Sequence, residues 1–290
     1  MSHISKLCSV NKVRISFENY ANFVVVGHQK VHKFSQMLYI DHLLVSTGLC
    51  RAICRPLLFS AHMTTITQIK KMLESGQIAP SDEDIVDQGV LTSSSGASIP
   101  YTLHRGWDIA KCYSCDEHWG KFNLDLFEFI DKQNYTPNQL DVVLAQIQID
   151  DRHWKWFKKA CLLKDETYEW FFIMAEGKPQ GACLIYHPKK SVINTDDIFY
   201  VEFLAVAPWN RTNPMAPRYF NGVGTLLIKS AITYVKDSLA YRFGFSLHAL
   251  PRASGYYKKI GMERFSAEDK DTLEYFEMPE SAAADYLEAP

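Results

Sequence analysis

The sequence contains no uninterrupted run of about 18 apolar residues, the length that a membrane-spanning helix needs. The nearest approach, residues 37–60, is interrupted by Asp41, His42, Arg51 and Arg55. A net charge of -2 provides no global basic field that would attract nucleic acid or an anionic membrane. No secretory signal with a basic head and a clean apolar centre is visible. We therefore expect a cytoplasmic protein that has neither nucleic acid nor membrane as a partner.

A disulfide framework is also missing, because the seven cysteines are scattered and odd in number. This usage is typical of reduced thiols in a cytosol. Cys112 and Cys115 form one CxxC, which is followed by His118. A structural zinc site takes four ligands, and no second cysteine pair follows at a suitable spacing. We therefore expect ordinary thiols and no metal.

The first 62 residues have their own composition, with seven Lys and Arg against two acidic residues and no amphipathic period. The composition and the pattern of apolar residues change at Met63. Beyond it, Ile66, Ile69 and Leu73 have helical spacing, and Gly76 is placed to end that helix. We predict that residues 1–62 form a poorly packed or non-native extension.

The next segment predicts mostly helices. Phe122, Leu126, Phe129 and Ile130 share one helical face, and Pro137 suits the first position of another helix. A Ser/Gly-rich stretch before them predicts a loop. The predicted loop is 91–100, and the predicted helices of this segment are 122–132, 137–148 and 151–163.

From residue 168 onward the hydrophobic period is that of strands. Two apolar runs separated by EGKPQ predict a hairpin, and IFYVEFLAVA predicts a strand buried on both faces. The predicted strands are 168–175, 181–187, 198–207, 243–250 and 272–278, with helices at 221–237 and 252–259. This order predicts an α/β fold with a mixed central sheet and helices on both faces.

Two glycines open the helix at 221–237, whose apolar residues repeat at helical spacing. Free amides and the helix dipole at that end favour an anion, and Gly222 and Gly224 would let a phosphate approach the backbone. The third glycine of a Rossmann fingerprint and the Gly-Lys-Ser/Thr of a Walker A loop are both absent. The pattern alone is therefore compatible with an anion site or with a tight turn that binds nothing.

Two motifs in this order resemble the GNAT N-acetyltransferase superfamily. Its phosphate-binding signature, Gln/Arg-x-x-Gly-x-Gly/Ala, corresponds to residues 219–224, where Tyr219 departs from the pattern and Arg218 stands just before it. Its C-terminal pattern, A-x-x-F-Y-x-K-x-G-F, corresponds to residues 253–262 (ASGYYKKIGM). The resemblance is strongest over 198–262. The segments HWKWFKKA, FYVEFLAVAPWNR and SLHALPRA resemble a little-characterised bacterial branch marked by its APWNR loop.

The apolar periods predict residues 63–150 as a helical N-terminal region, and the resemblance implies 151–290 as an acetyltransferase domain. It implies acetyl-CoA as co-substrate, wedged between the parallel strands 198–207 and 243–250 where they splay apart. Backbone groups would pair with the pantetheine arm. Amides of residues 219–225, which we call the glycine turn, would take the pyrophosphate. The residues implied for binding are Leu204, Ala205, Val206, Arg218, Tyr219, Phe220, Asn221, Gly222, Val223, Gly224 and Thr225.

The resemblance also implies catalytic roles. Tyr257 aligns with the tyrosine that protonates the departing thiolate, with Tyr256 beside it as the alternative, and a backbone N–H near Val206 would polarise the thioester carbonyl. Glu202, a lone carboxylate in an apolar strand, is the expected general base, and His248 is the second candidate. The family's asparagine near the thiol is replaced here by Leu250.

Other polar and aromatic residues have two interpretations each. Trp154, Trp156, Trp170 and Trp209 line an acceptor pocket or pack in the core, and core packing is favoured for those on helices. Arg211 reaches a coenzyme phosphate or is solvated.

Two functions follow from the resemblance. The first is an acetyl-CoA-dependent N-acetyltransferase that acts on an amine of a small molecule or a protein. The second is a non-catalytic acyl-CoA-binding or sensing module, in which the missing Gln/Arg and Asn mark lost chemistry. A toxin that acts on charged tRNA is disfavoured because the chain lacks a strong basic charge. The oligomeric state is left open between a monomer and a homodimer.

Overall fold

The computed structural model describes residues 65–289, so the predicted extension 1–62 lies outside the described residues. The chain divides into two compact units, with the boundary after Gln77. In the first unit, helix α1 (Ile66–Glu74) begins at a capping box of Thr65 and Gln68, and Gly76 follows it in a left-handed conformation.

An eight-stranded sheet forms the second unit, in the order β1-β2-β3-β4-β5-β6-β8-β7. Its strands are β1 (Ile85–Thr92), β2 (Ser98–Arg105), β3 (Tyr168–Ala175), β4 (Lys178–Lys190), β5 (Asp197–Val206), β6 (Phe245–Ala249), β7 (Glu263–Arg264) and β8 (Glu274–Glu277). The only parallel pair within this sheet is β5 with β6. The predicted mixed sheet is therefore confirmed.

Helices cover both faces of the sheet. They are α2 (Ile109–Lys132), α3 (Pro137–Gln146), α4 (Trp156–Leu162), α5 (Val223–Tyr234, widened into a π turn over Val235–Leu239), α6 (Ser254–Lys259) and α7 (Glu280–Glu288). Apolar residues of α5, α6 and α7 bury against one face, which we call the α5 face. Apolar residues of α2 and α4 bury against the other, which we call the α4 face, and α3 packs on the far end of α2.

A β-hairpin corrects the prediction that 63–150 is helical. Strands β1 and β2 lie inside that region, and β2 pairs with β3, so the hairpin belongs to the central sheet. The predicted loop 91–100 shrinks to a turn over 93–97. Strand β1 is an edge strand that exposes nearly every side chain. It therefore lacks the alternation of apolar and polar residues from which a strand is predicted.

The other differences concern boundaries. Helix α2 begins 13 residues earlier than the predicted 122–132, and the helix predicted over 151–163 begins only at Trp156. Helix α7 was not predicted. Among residues 65–289, no helix is long and apolar enough to cross a membrane.

Candidate functional site

A β-bulge in β5 sets the direction of the side chains along this strand. Ile185 of β4 pairs with Val201 and Leu184 pairs with Phe203, so Glu202 is an extra residue with no partner across the pair. Val201 packs on the α5 face, whereas Phe203 packs on the α4 face. A regular strand would have placed both on one face, because side chains two residues apart point the same way.

Immediately after the bulge, β5 and β6 part. They pair in parallel at three positions only, of which the last joins Val201 to Leu247. Strand β5 continues to Val206 along β4, and β6 continues to Ala249 along β8. Within the described residues no pair joins them beyond that point, so Glu202–Val206 border a gap in the sheet. The predicted splay of the parallel strands is confirmed.

The glycine turn lies beside the end of β5. Gly222 caps α5 with φ +78, a left-handed conformation that glycine adopts without strain. A Cβ on Gly224 would lie 3.5 Å from Cγ1 of Val206, which places the start of the helix against β5. On the other side, a Cβ on Gly181 would lie 2.8 Å from Cγ1 of Val223, so β4 and α5 approach too closely for any side chain there.

The amides of the turn fall into two groups. The amide of Tyr219 donates to the carbonyl of Trp209 at 2.9 Å, and the amide of Phe220 donates to Oδ1 of Asn210 at 2.9 Å. These two amides are therefore occupied and are not available to the pyrophosphate, for which the amides of 219–225 were predicted.

The antiparallel bridge between Ser93 and Phe220, in which the amide of Ser94 donates to the carbonyl of Tyr219 at 2.9 Å, also pairs the amide of Asn221 with the carbonyl of Thr92. Among the described residues, the amides of 222–225 have no side-chain cap, and the first helical bond runs from Leu226 to the carbonyl of Gly222. Four consecutive residues thus offer their amides to an anion.

Neither arginine of the loop reaches the turn. Arg218 donates to Oγ1 of Thr212 at 2.6 Å on the surface. Arg211 forms a bidentate pair with Asp151 and donates to the carbonyl of Val206 at 2.6 Å. Its side chain is 12% exposed, so Arg211 is neither solvated nor available to a phosphate, and both interpretations offered above are wrong. It also occupies the carbonyl of Val206, a group expected to face the pantetheine.

The APWNR loop has a structural task that the sequence did not reveal. Nε1 of Trp209 donates to Oε1 of Gln180 at 2.7 Å, and Nδ2 of Asn210 donates to the same oxygen at 3.1 Å. Because Asn210 also accepts from Phe220, its amide side chain joins β4 to the glycine turn. Polar side chains on this loop therefore hold the turn in place without facing a ligand.

Tyr257 and Tyr256 have different surroundings. Tyr257 is buried on the α5 face, and its hydroxyl has no hydrogen-bond partner among the described residues. Burial raises the pKa of Tyr257 above its usual value, and the neighbours Tyr256 and Cys183 raise it further. Tyr256 is exposed and its hydroxyl lies 2.8 Å from that of Tyr286 and 3.3 Å from Oγ1 of Thr225. Of the two hydroxyls, that of Tyr257 is the one without a partner among the described residues.

Glu202 and Lys159 lie together on the α4 face. Burial raises the pKa of Glu202, while the charges of Lys270 and Lys159 oppose that shift. Burial lowers the pKa of Lys159 from 10.5 to about 8, although Glu202 and Asp116 act against it. A half-buried carboxylate with a raised pKa at the border of a gap has the properties of a general base.

His248 is engaged on both sides of its ring. Nε2 lies 2.8 Å from the carbonyl of Glu268, which can only accept, so Nε2 carries the proton. In the neutral ring Nδ1 then accepts from the hydroxyl of Tyr200 at 2.7 Å. Burial lowers the pKa of His248, which favours this neutral form. His248, the second candidate for the general base, therefore accepts its hydrogen bond from Tyr200. Tyr200 is a site residue that the sequence analysis missed.

The tryptophans divide as well. Trp156 and Trp170 are 2% and 1% exposed and belong to the core on the α4 face. Trp209 is half-buried and bound to Gln180. Trp154 is half-buried, and its ring meets that of Phe203 edge to face at 4.9 Å. Of the four, Trp154 is the one with an exposed part that lies next to the gap.

The CxxC pair lies inside α2. Cys112 and Cys115 are fully buried, and burial raises the pKa of both thiols. His118 bonds to Ser114 one turn away. Over residues 65–289, no three metal-ligating side chains converge.

Comparison with known proteins finds no matching family model and no matching curated protein. Solved structures do match. One is the PaiA N-acetyltransferase from Thermoplasma acidophilum in complex with coenzyme A, with 11% identity, 61% of this chain and 98% of that chain covered, and a TM-score of 0.35. Another is a putative GNAT-family acetyltransferase from Desulfovibrio desulfuricans, with 14% identity, 61% and 96% coverage, and a TM-score of 0.33.

A third match is a protein from Pyrococcus horikoshii OT3, with 12% identity and a TM-score of 0.29. It covers 38% of this chain, and the chain spans only 63% of its length. Acetyltransferases recur among the matches. At these identities and scores the similarity concerns the fold alone, and the case for a function rests on the geometry of the chain itself.

Proposed function

We propose that the protein is an acetyl-CoA-dependent N-acetyltransferase that transfers an acetyl group to an amine of a small molecule or protein by direct attack. The observation that carries this proposal is the parting of β5 and β6 beyond Val201 and Leu247, next to the unoccupied amides of 222–225. A gap that exposes strand edges suits an extended amide-bearing arm, and free amides at a helix start suit a diphosphate. The two features lie side by side.

The chain's own groups would then do the following. Amides of 222–225 hold the diphosphate, and backbone groups of Leu204 and Ala205 border the arm in the gap. A main-chain N–H near Val206 stabilises the negative charge that develops on the thioester oxygen. These contacts hold the thioester in line with the acceptor amine.

Proton transfers fall to the side chains on the two faces. Glu202, on the α4 face, accepts the proton of the attacking amine. Tyr257, on the α5 face, gives its proton to the departing thiolate, and its free hydroxyl supports this role. His248 and Tyr200 form a second hydrogen-bonded path for protons at the base of the gap.

Replacement of Tyr257 tests the proposal. The purified chain is incubated with acetyl-CoA, a panel of amines and a thiol reagent that reports released coenzyme A. We expect turnover on at least one amine, and Tyr257→Phe should lower it roughly 10²- to 10⁴-fold with coenzyme A binding retained. The control is Tyr256→Phe, the adjacent exposed tyrosine, which should turn over normally. Tight binding with no turnover in the wild type, and no difference between the variants, would favour an acyl-CoA sensor instead.

A further inference from the structure

Lys159 stands out as an amine that lies at the gap without a polar partner. Its Nζ lies 3.1 Å from the ring centroid of Phe203 and 5.2 Å from that of Trp154. Among the described residues it makes neither a hydrogen bond nor an ion pair within bonding distance. Aromatic faces therefore hold the cation in place, as they hold cationic ligands in other proteins.

The position of this amine relative to the gap is set by Phe203. Phe203 follows the bulge residue Glu202 and lies two residues beyond the last pair that joins β5 to β6. Its ring faces α4, the helix that carries Lys159. The glycine turn lies on the opposite side, since α5 packs on the other face. An arm that enters from the α5 face through the gap would thus present its end to the face where Lys159 lies.

The surroundings also suit Lys159 as a nucleophile. Only a neutral amine attacks a carbonyl, and with a pKa of about 8 roughly a tenth of Lys159 is neutral at pH 7, far more than for a solvated lysine. The charged groups that act on it are the carboxylates Glu202 and Asp116 and the neighbouring Lys158. Glu202 is the group already expected to accept a proton from an amine.

We propose that Lys159 is an acetyl acceptor within its own chain. This inference rests on the proposed function. The neutral Nζ attacks the thioester carbon of acetyl-CoA, a C–N bond forms, and the C–S bond breaks. The amine loses one proton to Glu202, and the thiolate takes one from Tyr257. The products are acetyl-lysine and free coenzyme A, and solvent restores both side chains.

Mass spectrometry of the intact chain and its peptides tests this. Wild type, Lys159→Arg and the matched control Lys158→Arg, one residue away on the exposed side of α4, are incubated with acetyl-CoA. We expect wild type and Lys158→Arg to gain one acetyl group at residue 159, at least about tenfold faster than at residue 158. Excess coenzyme A should suppress the reaction, and its rate constant should not depend on protein concentration. Acetyl phosphate, which has no coenzyme to bind, should label residue 159 more slowly.

The outcomes are distinct. Labelling of residue 159 that coenzyme A does not suppress, equal labelling of residues 158 and 159, or a rate that rises with protein concentration would overturn the inference. Calorimetry of coenzyme A and turnover on the amine panel, run on the same samples, separate the two proposals. Binding and turnover without an acetyl group at residue 159 reject this inference alone, whereas absence of binding rejects both. Wild-type peptides decide the matter even if Lys159→Arg fails to fold.

Discussion

At the scale of single residues, Glu202 shows how a strand irregularity creates chemistry. The bulge leaves its carboxylate half-buried at the gap, and burial raises its pKa above the ordinary value of 4.5. A buried charge costs free energy, and a protein keeps such a cost where it serves a function. A substitution that removes the charge of Glu202 should therefore raise stability and lower activity.

Glu202→Gln tests that trade-off. Because the folded-state pKa is raised, the contribution of Glu202 to stability is fully present below its unfolded pKa and is lost as pH rises through the folded pKa. The variant should therefore melt at a higher temperature than wild type at pH 7, with the difference shrinking as pH falls toward 4.5. Turnover should fall roughly 10²- to 10⁴-fold, and the acidic limb of the pH profile should disappear.

A second glutamate provides the control. Burial also raises the pKa of Glu169, which lies on β3 away from the gap and accepts a hydrogen bond from Tyr234 of α5. Glu169→Gln should leave the pH profile of turnover unchanged. If Glu202→Gln kept full activity and its acidic limb, Glu202 would not be the base, and the Tyr200–His248 pair would take its place.

The sequence predicts single residues only in part. Glu202 is conspicuous as a charge in an apolar strand, and Tyr257 follows from the resemblance. The bond between Tyr200 and His248 joins residues 48 positions apart, and no local pattern records it. Arg211 is misleading for the same reason, because its partner Asp151 lies 60 residues earlier in the chain.

At the scale of elements, the contact of β4 with α5 positions the glycine turn. Helix α5 lies so close to β4 that a Cβ on Gly181 would meet Val223 at 2.8 Å, Leu227 at 2.9 Å and the carbonyl of Ala205 at 3.2 Å. Real Cβ atoms do not approach other atoms at the first two of these distances. The start of α5 at Val223 therefore depends on a glycine that stands 42 residues earlier.

Gly181→Ala should accordingly destabilise the fold by about 1–3 kcal/mol through overpacking, measured as a lower midpoint of urea unfolding. It should also weaken coenzyme A binding, because α5 has to move. The matched control is Gly120→Ala inside α2, where nothing lies within 4 Å of an added Cβ. That change should stabilise the protein by roughly 0.5–1 kcal/mol. Equal effects of the two substitutions would contradict the close packing.

Strong periodicity decides which elements can be predicted from the sequence. Strands β3 and β4 and helix α5 bury many side chains, so their apolar patterns are clear. The hairpin β1–β2 escapes prediction because β1 exposes nearly every residue, and its pairing with β2 depends on tertiary context. Helix α7 buries only Ala283 and Tyr286, too few to mark a period.

At the scale of the whole molecule, a buried carboxylate joins distant parts of the chain. Glu277 of β8 is fully buried and accepts from Arg242 at 2.8 Å, from the amide of Val192 at 2.8 Å and from the hydroxyl of Ser191. These partners come from the loop between β4 and β5 and from the segment before β6. The network thus connects these segments to β8 at the end of the sheet opposite the gap.

Glu277→Ala should cost about 3–5 kcal/mol in the free energy of unfolding, because Arg242 would be left buried and unpaired. Urea denaturation at neutral pH measures this. Glu128→Ala is the surface comparison, since Glu128 forms an exposed pair with Lys132 at 3.6 Å and should change stability by less than about 1 kcal/mol. A cost for Glu277→Ala as small as that of the surface pair would show that the network does not hold the sheet together.

Strand connectivity explains why the sheet was easier to predict than the site. The alternation of strands and helices after residue 165 suffices for a mixed sheet with the parallel pair β5–β6. The gap depends on where the pairing of β5 with β6 stops, after Val201 and Leu247. Beyond that point β5 continues past the bulge along β4, whereas β6 continues along β8. Neither feature has a local signature in the sequence.

The central claim is that the amides at the start of α5 hold a diphosphate, and calorimetry of coenzyme A with two variants of Gly224 tests it most directly. Gly224→Asn and Gly224→Asp add side chains of similar shape where the nearest atom to an added Cβ is 3.5 Å away, and a negative charge at a helix start favours folding. The account predicts that wild type and Gly224→Asn bind coenzyme A, and that Gly224→Asp binds at least about tenfold more weakly despite equal or higher stability. Equal affinities of the two variants, or no affinity in the wild type, would contradict it.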